Sequence, residues 1–546
     1  MCGLRRVSAG FSRLSGGSCR GWIACAWVVL WAALATIHVT QSIWGSQLKC
    51  YPGDALDGRF NNLVLEHGFQ TFRGAVSWLS PAQYYPEPRT LGMSDTHVGT
   101  LPIYSLARTM GASVERAFQV WFVVVAALNA WAAARVLSAI RTPAALAGPL
   151  LFVGVGSSVM VWVAGSHMQM LPLFPGMLAL EQVLRFVQDN RKPHIVAAAG
   201  WLGWQFAASP YAGFFLGICG SIGVSMGFAF SLAAPIASRT EFPLQTALRN
   251  GAIAWCSAGV VALAGISLCA AAGIAHLAVL KSGYGRPMSE LVEHAPHLSS
   301  WFSAPPVHSW YPAGEPAGGR VSVEQVWFAG FWPWICLTGA LAIGWRRRTT
   351  REGRIALTLA LAAIGGYLFF TAWRTDSAFT MLARNVEELR AFRASGRSAV
   401  VLHLIQVFGA AAALTGIWLR STTLWSRCVL GAFAVLGCIE TIARDQHSTS
   451  VATMQARAKA VVEAWRGAND RPILLFAPGY TNQSEQLCHL DAWAAAMQLR
   501  RTTVNGYSGD VPPTHVTFVL SPTVDAGRTL ISSVRIPEDH VSLVES

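Results

Sequence analysis

Long apolar runs separated by short polar segments follow one another along the chain as far as residue 446. A helix needs about 20 mostly apolar residues to cross the hydrocarbon core of a bilayer. Eleven runs approach that length and predict an α-helical polytopic membrane protein with about 11 transmembrane helices. The runs are Trp22–Val39, Ala117–Ala134, Pro143–Ala164, Met168–Leu184, Ile195–Ala208, Tyr211–Ile236, Ala252–Leu280, Trp327–Trp345, Ile355–Trp373, Ser398–Leu419 and Val429–Ile442. Because Ser209-Pro210 separates the short fifth run from the sixth, these two could instead form a re-entrant hairpin.

The pattern changes in the tail, residues 447–546, where shorter apolar segments alternate with charged and turn-forming residues. Their spacing predicts helices at Ala452–Trp465 and Leu490–Leu499 and strands at Pro472–Ala477 and Val516–Leu520. We therefore expect a small, soluble C-terminal α/β domain. The tail sequence has neither a phosphate-binding glycine loop nor a G-x-G-x-x-G turn, so a nucleotide site is not expected.

Basic residues collect in alternate loops, as they do in loops that face the cytoplasm. They are Arg5, Arg6, Arg13, Arg20, Arg135, Arg141, Arg185, Arg191, Lys192, Arg239, Arg249, Arg346, Arg347, Arg348, Arg351, Arg354, Arg420 and Arg427. All fall on one side if residues 1–21 are a cytoplasmic N-terminus and the first run is a signal anchor. The transmembrane domain is then 22–446, with long external loops at 45–116, 281–325 and 374–397, and the tail is extracytoplasmic.

Composition supports the membrane assignment. The chain is 53% hydrophobic and 13% charged, whereas soluble proteins have roughly 25% charged residues. The net charge of +13 would suit a nucleic-acid-binding protein, but much of the basic excess lies in the short loops that set orientation. No nucleic-acid partner is therefore expected.

Two cysteines, Cys50 and Cys488, fall in the expected external regions, where disulfides persist. They are a candidate disulfide that would tie the first loop to the tail, or else two separate thiols. The chain shows no internal repeat, which disfavours a secondary transporter built from two matching halves.

The first external loop carries two groups of chemically capable residues. Asp54 and Asp57 have the i, i+3 spacing that places two carboxylates on one face of a helix. Such carboxylates can accept a proton from a hydroxyl or hold a divalent cation beside a phosphate. The alternative for Asp54 is a helix cap. Arg59, Glu66 and His67 follow on a segment whose apolar residues predict an amphipathic helix along the membrane interface.

Asp95 and His97 form the second group in this loop. They are either a catalytic pair or part of a plain turn. His167, at the external junction of the third and fourth runs, is expected to line the same polar cavity. The third external loop holds five arginines, Arg374, Arg384, Arg390, Arg393 and Arg397. External arginines are unusual and suit a phosphate or diphosphate headgroup, although Glu387 and Glu388 offer local ion pairing instead.

Together, the segments Gly53–Phe60, Ser94–His97, Phe392–Arg397 and Asn505–Gly509 make the chain resemble the GT-C superfamily of polytopic membrane glycosyltransferases. The resemblance implies transfer of a hexosyl or pentosyl group from a polyprenyl-phosphate-linked donor to a glycan, lipid or protein acceptor. It also implies a bacterial inner membrane, with catalysis at the external face and the tail periplasmic or extracellular.

The same resemblance implies roles for particular residues. Asp54, or else Asp57, would act on the acceptor as a general base or metal ligand, and Asp95 and His97 would assist with the acceptor or a metal such as Mg²⁺ or Mn²⁺. Arg390, Arg393 or Arg397 would hold the lipid phosphate. Further candidates for substrate binding are Arg59, Glu66, His67 and His167. The alternative functions are a transporter or flippase of a lipid-linked substrate and a non-catalytic assembly subunit.

Overall fold

The computed structural model describes residues 19–232, 244–280, 286–311, 323–444, 448–468, 471–478 and 485–545. The end of the sixth predicted run, Arg239 and the basic residues before Cys19 lie outside the described residues. In chain order, the α-helices are α1 (Cys19–Val39), α2 (Gln41–Gly45), α3 (Asp57–Phe72), α4 (Leu101–Thr109), α5 (Val114–Ile140), α6 (Ala144–Val155), α7 (Ser158–Ser166), α8 (Phe174–Asp189), α9 (Pro193–Ala208), α10 (Pro210–Leu232), α11 (Leu244–Leu280), α12 (Met288–Glu293), α13 (Phe331–Arg346), α14 (Arg351–Phe370), α15 (Ala378–Asn385), α16 (Ala399–Trp418), α17 (Leu424–Glu440), α18 (Val451–Gly467), α19 (Glu485–Leu499), α20 (Val516–Leu520) and α21 (Val524–Ser533). The strands are β1 (Cys50–Tyr51), β2 (Thr449–Ser450), β3 (Ile473–Ala477), β4 (Thr502–Thr503) and β5 (Val541–Glu545).

Each of the eleven predicted apolar runs overlaps a helix. Among the described residues, seven helical stretches are long and apolar enough to cross a membrane, and they make the chain a multi-pass membrane protein. The stretches are Gly21–Val39, Val114–Ile140, Ala144–Ser166, Met168–Asp189, Ala254–Leu280, Arg351–Phe370 and Ser395–Trp418. The other four runs correspond to α9, α10, α13 and α17. The described residues of these helices are not both long and apolar enough by the same criterion, so the count of about 11 spans stays a prediction.

The helices differ in how much of their surface the protein itself covers. The most apolar window of Ser395–Trp418 is 94% buried, which places α16 at the centre of the bundle. The corresponding windows of Gly21–Val39 and Ala254–Leu280 are only 17% and 22% buried. Since apolar side chains on these two helices have no protein partner over most of their surface, lipid is the medium that suits them.

Basic side chains gather at one end of the bundle, where loops join consecutive helices. The Arg351 guanidinium donates to the carbonyl of Ala139, at 2.7 Å, and Arg347 donates to the carbonyl of Gly416, also at 2.7 Å. These carbonyls belong to the last turns of α5 and α16, whose C-terminal ends attract positive charge. The loop that follows α1 lies at the opposite end, where the Asp54 amide donates to the carbonyl of Gly165 near the end of α7.

The predicted interfacial helix of the first loop is present as α3, but its surroundings differ from the prediction. Every residue from Gly58 to Phe69 is buried. The helix packs between the membrane helices and the tail and does not lie along a membrane surface, because the tail covers the side that would face solvent. Its amphipathic pattern therefore reflects contacts with protein on two sides, the membrane helices and the tail, and one of these contacts is polar.

The tail packs helices against a three-stranded sheet with the order β4-β3-β5, and both strand pairs are parallel. Parallel neighbours need a crossover; α19 supplies it between β3 and β4, and α20 and α21 lie between β4 and β5. A second contact joins the tail to the first loop, since β1 pairs antiparallel with β2.

One predicted strand of the tail is wrong. Val516–Leu520 is the helix α20, and the third strand of the sheet is Val541–Glu545 instead. A five-residue apolar run has too few positions for its periodicity to distinguish a helix from a strand.

The candidate disulfide between Cys50 and Cys488 is not formed. Cys50 lies on β1 opposite Ser450. Cys488 is buried on α19 in a different cluster, with Trp465 and Phe476. The two side chains thus serve separate packing regions, and the tail is held to the first loop by other contacts.

Candidate functional site

A group of polar side chains from five separate segments meets at the end of the bundle opposite the basic loops. We call Asp57, His167, Glu324, Arg397 and Tyr507 the junction site. The Tyr507 hydroxyl donates to Asp57 Oδ1 at 2.9 Å. Asp57 Oδ2 lies 3.9 Å from His167 Nδ1, and His167 Nε2 lies 3.6 Å from Glu324 Oε2. The imidazole therefore stands between two carboxylates.

Arg397 is fixed in this site by two contacts of different kinds. Its guanidinium donates to both carboxylate oxygens of Glu324, at 2.6 and 2.7 Å. Its Cζ atom also lies 5.2 Å from the ring centroid of Tyr211, a cation–π distance. Burial raises the pKa of Glu324, but the charges of Arg397 and His167 outweigh burial and hold this pKa well below its usual range. Glu324 is therefore ionised, and it anchors Arg397.

A second ion-paired group, which contains more positive than negative charge, lies beside the junction site. The Glu290 carboxylate accepts hydrogen bonds from both Arg393 and Arg286. One negative charge is thus shared by two guanidinium groups, which leaves a positive excess. Arg286 also donates to the carbonyl of Gly509, so the tail loop Asn505–Gly509 is attached to the same cluster.

Asp54 caps the start of α3. Its Oδ1 accepts hydrogen bonds from the amides of Leu56 and Gly58, both at 3.1 Å. Burial raises the pKa of the Asp54 carboxyl, and the neighbouring Asp57 charge raises it further. This oxygen acts as a helix cap, which is the alternative that the sequence left open for Asp54. Asp57 has one oxygen held by Tyr507, and its side chain is 25% exposed, so this carboxylate is accessible.

Asp95 is a buried carboxyl with an unsatisfied oxygen. It is 6% exposed, and its Oδ1 has no hydrogen-bond partner among the described residues. Burial raises the pKa of Asp95 to about 7; the positive charge of Arg397 opposes this shift and the negative charge of Asp57 reinforces it. The electrostatic influence of both residues places Asp95 at the junction site.

His97 has a positioning contact at this site. It is fully buried, and its Nε2 donates to Asn61 Oδ1 at 2.5 Å. The Asn61 amide nitrogen in turn lies 3.4 Å from Gln169 Oε1. Burial lowers the pKa of His97 to about 3. A histidine that stays neutral at physiological pH is unsuited to act there as an acid, so His97 orients Asn61.

His167 carries the clearest indication that this site binds something. It is 5% exposed, and neither ring nitrogen has a hydrogen-bond partner in the described part of the chain. Its ring packs edge-on against Trp162, with centroids 5.0 Å apart. Buried polar atoms without partners are costly, and a hydroxyl group placed between His167 and Asp57 would relieve that cost.

Two candidates from the first loop do not face the junction site. Arg59 forms a buried ion pair with Asp491 of the tail. Glu66 accepts hydrogen bonds from Arg108 and Tyr104, each at 2.8 Å. Arg59 and Glu66 follow Asp57 by two and nine residues, which are rotations of about half a turn and about two and a half turns. Both side chains therefore project from the side of α3 opposite Asp57 and Asn61. These two residues therefore do not belong to the junction site, and their role in binding substrate stays a prediction.

His67 and Arg390 are also placed elsewhere. His67 Nε2 donates to the carbonyl of Trp78 at 2.9 Å and stacks on the ring of that residue. Arg390 pairs with Glu387 at 2.8 Å, which is the local ion pairing offered as the alternative to phosphate binding. Arg393 and Arg397 differ from Arg390, because their carboxylate partners come from distant loops.

The sequence analysis missed Glu324 and Tyr507 as members of the site. Tyr507 was noticed only as part of the Asn505–Gly509 turn. The sequence gives little sign of Glu324, because its partners His167 and Arg397 are 157 and 73 residues away. An acidic side chain three residues before the eighth apolar run is the one local feature that sets it apart.

The donors of the site do not form a metal-binding group. No three His, Cys, Asp or Glu side chains of the described residues are grouped so that they could hold a metal ion. Both oxygens of Glu324 are engaged by Arg397. The expected Mg²⁺ or Mn²⁺ does not fit this arrangement, and none of the steps below is assigned to it.

The fold and the site define a multi-pass membrane protein with a polar site at one end of its helical bundle. No family model matches the chain, and no curated protein matches it in sequence. Two crystal structures of the Archaeoglobus fulgidus oligosaccharyltransferase are similar to it, one in the apo form and one in complex with Zn and sulfate.

These two structures match with TM-scores of 0.46 and 0.47 and sequence identities of 11% and 12%. Each match covers 88% of this chain, and 64% and 62% of the respective oligosaccharyltransferase chains. The chain therefore spans less than two thirds of the length of the structures that it matches. Scores this low do not establish a shared fold or a shared activity.

Proposed function

We propose that this chain is a membrane glycosyltransferase that uses a polyprenyl-phosphate-linked sugar donor. The observation that carries the proposal is the meeting of three features at one end of the bundle: an accessible carboxylate, a histidine without a hydrogen-bond partner among the described residues, and two arginines that share one carboxylate. Sugar transfer from a lipid phosphate needs these three things: a base for the acceptor hydroxyl, contacts to the hydroxyl groups, and positive charge for the departing phosphate.

In this proposal Asp57 is the general base, and Asp54 holds the start of α3. The acceptor hydroxyl lies beside Asp57 Oδ2 and His167 Nδ1, which are 3.9 Å apart, at hydrogen-bond distance from both atoms. As its oxygen bonds to the anomeric carbon, its proton passes to Asp57. The bond from the anomeric carbon to the phosphate oxygen breaks, and its electron pair leaves with the polyprenyl phosphate. Tyr507 orients the carboxylate through its hydrogen bond to Oδ1.

The developing negative charge on the phosphate is stabilised by Arg393 and Arg286. Their shared partner Glu290 neutralises only one of the two positive charges, so a positive charge remains for the lipid phosphate. Arg397 is held by Glu324 and adds a fixed positive charge next to Asp95. Asp95, whose pKa is raised to about 7, is partly protonated near neutral pH and donates a hydrogen bond to a sugar hydroxyl or phosphate oxygen.

We further propose that the site faces the external side of a bacterial inner membrane. The basic loops and the junction site lie at opposite ends of the bundle. If the basic end is cytoplasmic, the site and the tail are on the external side, where a donor with a short head and a membrane-embedded tail can reach them. The acceptor is then a glycan, lipid or protein outside the cytoplasm.

Substitution of Asp57 tests the assignment of the base. We expect Asp57→Asn to lower the rate of sugar transfer from a labelled polyprenyl-phosphate donor by at least about 100-fold, which is typical for loss of a general base. The assay follows covalent transfer of label to an extracted glycan acceptor in membranes that contain each variant. Asp54→Asn should have a smaller effect on transfer and a larger one on thermal stability, because Asp54 caps α3.

The matched control is Asp376→Asn. Asp376 is an external carboxylate that pairs with Arg384 within its own loop, so its loss should leave the transfer rate unchanged. Full activity of a correctly folded Asp57→Asn variant would rule out Asp57 as the base. Movement of the labelled lipid across the bilayer without any covalent product would favour a flippase instead.

A further inference from the structure

A second cavity lies on the other side of α3 from the junction site. Its volume is about 570 Å³, within the range of about 300–1,000 Å³ that is usual for small-molecule sites. Arg59 and Glu66 of α3, together with Arg73 directly after the helix, form one wall. They lie on the helix face opposite Asp57 and Asn61. The remaining walls come from the start of α5 and from the tail helices α18 and α19, so the cavity exists only where the tail meets the first loop.

The charge of this cavity is positive. Its lining contains four arginines, Arg59, Arg73, Arg108 and Arg500, but only two carboxylates, Glu66 and Glu115. Arg108 pairs with Glu66, and Arg59 pairs with Asp491. Asp491 also pairs with Arg457. Within the described ranges, Arg73 and Arg500 have no carboxylate at ion-pair distance.

The uncharged lining suits a ligand with many hydroxyl groups. Gln70, Gln455 and Gln498 contribute three amides, each able to donate and accept hydrogen bonds. Phe69 and Met497 supply apolar surface between them. Amides that can pair with neighbouring hydroxyls, beside guanidinium groups that can pair with an acidic group, form a lining that fits an acidic saccharide better than a compact inorganic anion.

We propose that this cavity binds an anionic saccharide, with its carboxylate or other acidic group held by Arg73 and Arg500. Its sugar hydroxyls are recognised by the three glutamines. This goes beyond the proposed transfer activity, and saccharide binding is measurable whether or not the junction site transfers sugar. The cavity and the junction site lie on opposite sides of α3, so a bound saccharide contacts the same helix that begins with Asp57.

The test measures binding of trigalacturonate to the purified full chain in phosphatidylcholine nanodiscs by isothermal titration calorimetry. The neutral trisaccharide maltotriose is the comparison ligand. We expect trigalacturonate to bind at least tenfold more tightly than maltotriose. Arg73→Gln and Arg500→Gln should each weaken trigalacturonate binding about tenfold. Both side chains are exposed, so neither substitution should lower the unfolding temperature.

The matched control is Arg535→Gln. Arg535 is exposed and has a positive φ of 58°, close to the φ of 53° at Arg500, but it does not line the cavity. It should leave binding unchanged. Equal binding of both trisaccharides, no binding, or equal losses in all three variants would overturn the proposal. So would displacement of trigalacturonate by nanodiscs that contain phosphatidylglycerol, since the arginines would then hold an anionic lipid.

Discussion

At the scale of single residues, the buried acidic groups of the junction site differ in how their charges are balanced. Glu324 has both oxygens bound by Arg397. Asp95 has an oxygen with no partner among the described residues and a pKa raised to about 7. Glu324 is thus a fixed anion, whereas Asp95 changes charge close to physiological pH. This difference gives each residue a distinct signature in stability measurements.

Asp95→Asn should change how stability depends on pH. Unfolded Asp95 releases its proton near pH 3.9, whereas in the folded protein burial keeps the proton on up to about pH 7. The stability of the natural protein therefore falls as pH rises from about 4 to 7. The asparagine variant lacks this loss, so its unfolding temperature relative to the natural protein should rise across that window. A difference that does not vary with pH would contradict the raised pKa.

Glu324→Gln should destabilise the protein strongly at all of these pH values. It leaves the Arg397 guanidinium, which is 8% exposed, without its anionic partner, and breaking a buried pair costs about 3–5 kcal/mol. The measurement is chemical or thermal unfolding in detergent. Glu387→Gln breaks the exposed pair with Arg390 and should cost less than about 1 kcal/mol. Equal effects of the two substitutions would mean that Glu324 does not anchor Arg397.

The sequence allowed part of this site to be predicted. Charged and polar residues in the loops expected to be external indicate binding or catalysis. This argument predicted Asp57, Asp95, His167, Arg393 and Arg397. Glu324 was missed, because its importance comes from side chains that the fold brings to it from far along the chain. Helical spacing alone separates Arg59 from Asp57, but its partner Asp491 in the tail became known only from the fold.

At the scale of elements, α3 is the part that joins membrane helices, junction site and tail. Its first residue carries the proposed base, its opposite side lines the second cavity, and its buried Arg59 pairs with the tail. The helices themselves were predicted well, since long apolar runs in a membrane have few alternatives to a helix. The buried strand β3 was also predicted, but β1, β2, β4 and β5 were not, because pairing partners, not local pattern, decide such short strands.

The tail loop Asn505–Gly509 delivers Tyr507 to Asp57, and Gly506 allows this approach. A Cβ atom at Gly506 would lie 2.3 Å from Tyr84 Cε1. Tyr84 is fully buried and bonded to Ser508, so its ring cannot easily move. Gly506→Ala should cost about 1–3 kcal/mol by overpacking and should lower sugar transfer. Both are measured, by thermal unfolding and by the labelled-donor assay.

The control for this substitution is Gly467→Ala. A Cβ atom there meets nothing within 4 Å, so stability and transfer should stay unchanged. If Gly506→Ala behaved like this control, the position of the tail loop would not matter to the site.

At the scale of the whole molecule, the chain has two functionally different ends. One end gathers arginines that donate to helix C-terminal carbonyls, and the other gathers the carboxylates, the unpartnered histidine and the shared arginines. The lightly covered helices α1 and α11 run between them. A lipid-linked substrate suits this arrangement, because its hydrocarbon part can stay in the bilayer while its phosphate reaches Arg393.

The most direct test of the account is a single turnover by the purified chain in nanodiscs. A polyprenyl-phosphate-linked sugar and an extracted glycan acceptor are supplied, and both possible products are measured by mass spectrometry. We predict an acceptor that has gained one sugar and an equal amount of free polyprenyl phosphate, with both products lost in Asp57→Asn and retained in Asp376→Asn. Intact donor after prolonged incubation with the folded natural protein, or identical products from both variants, would contradict the account.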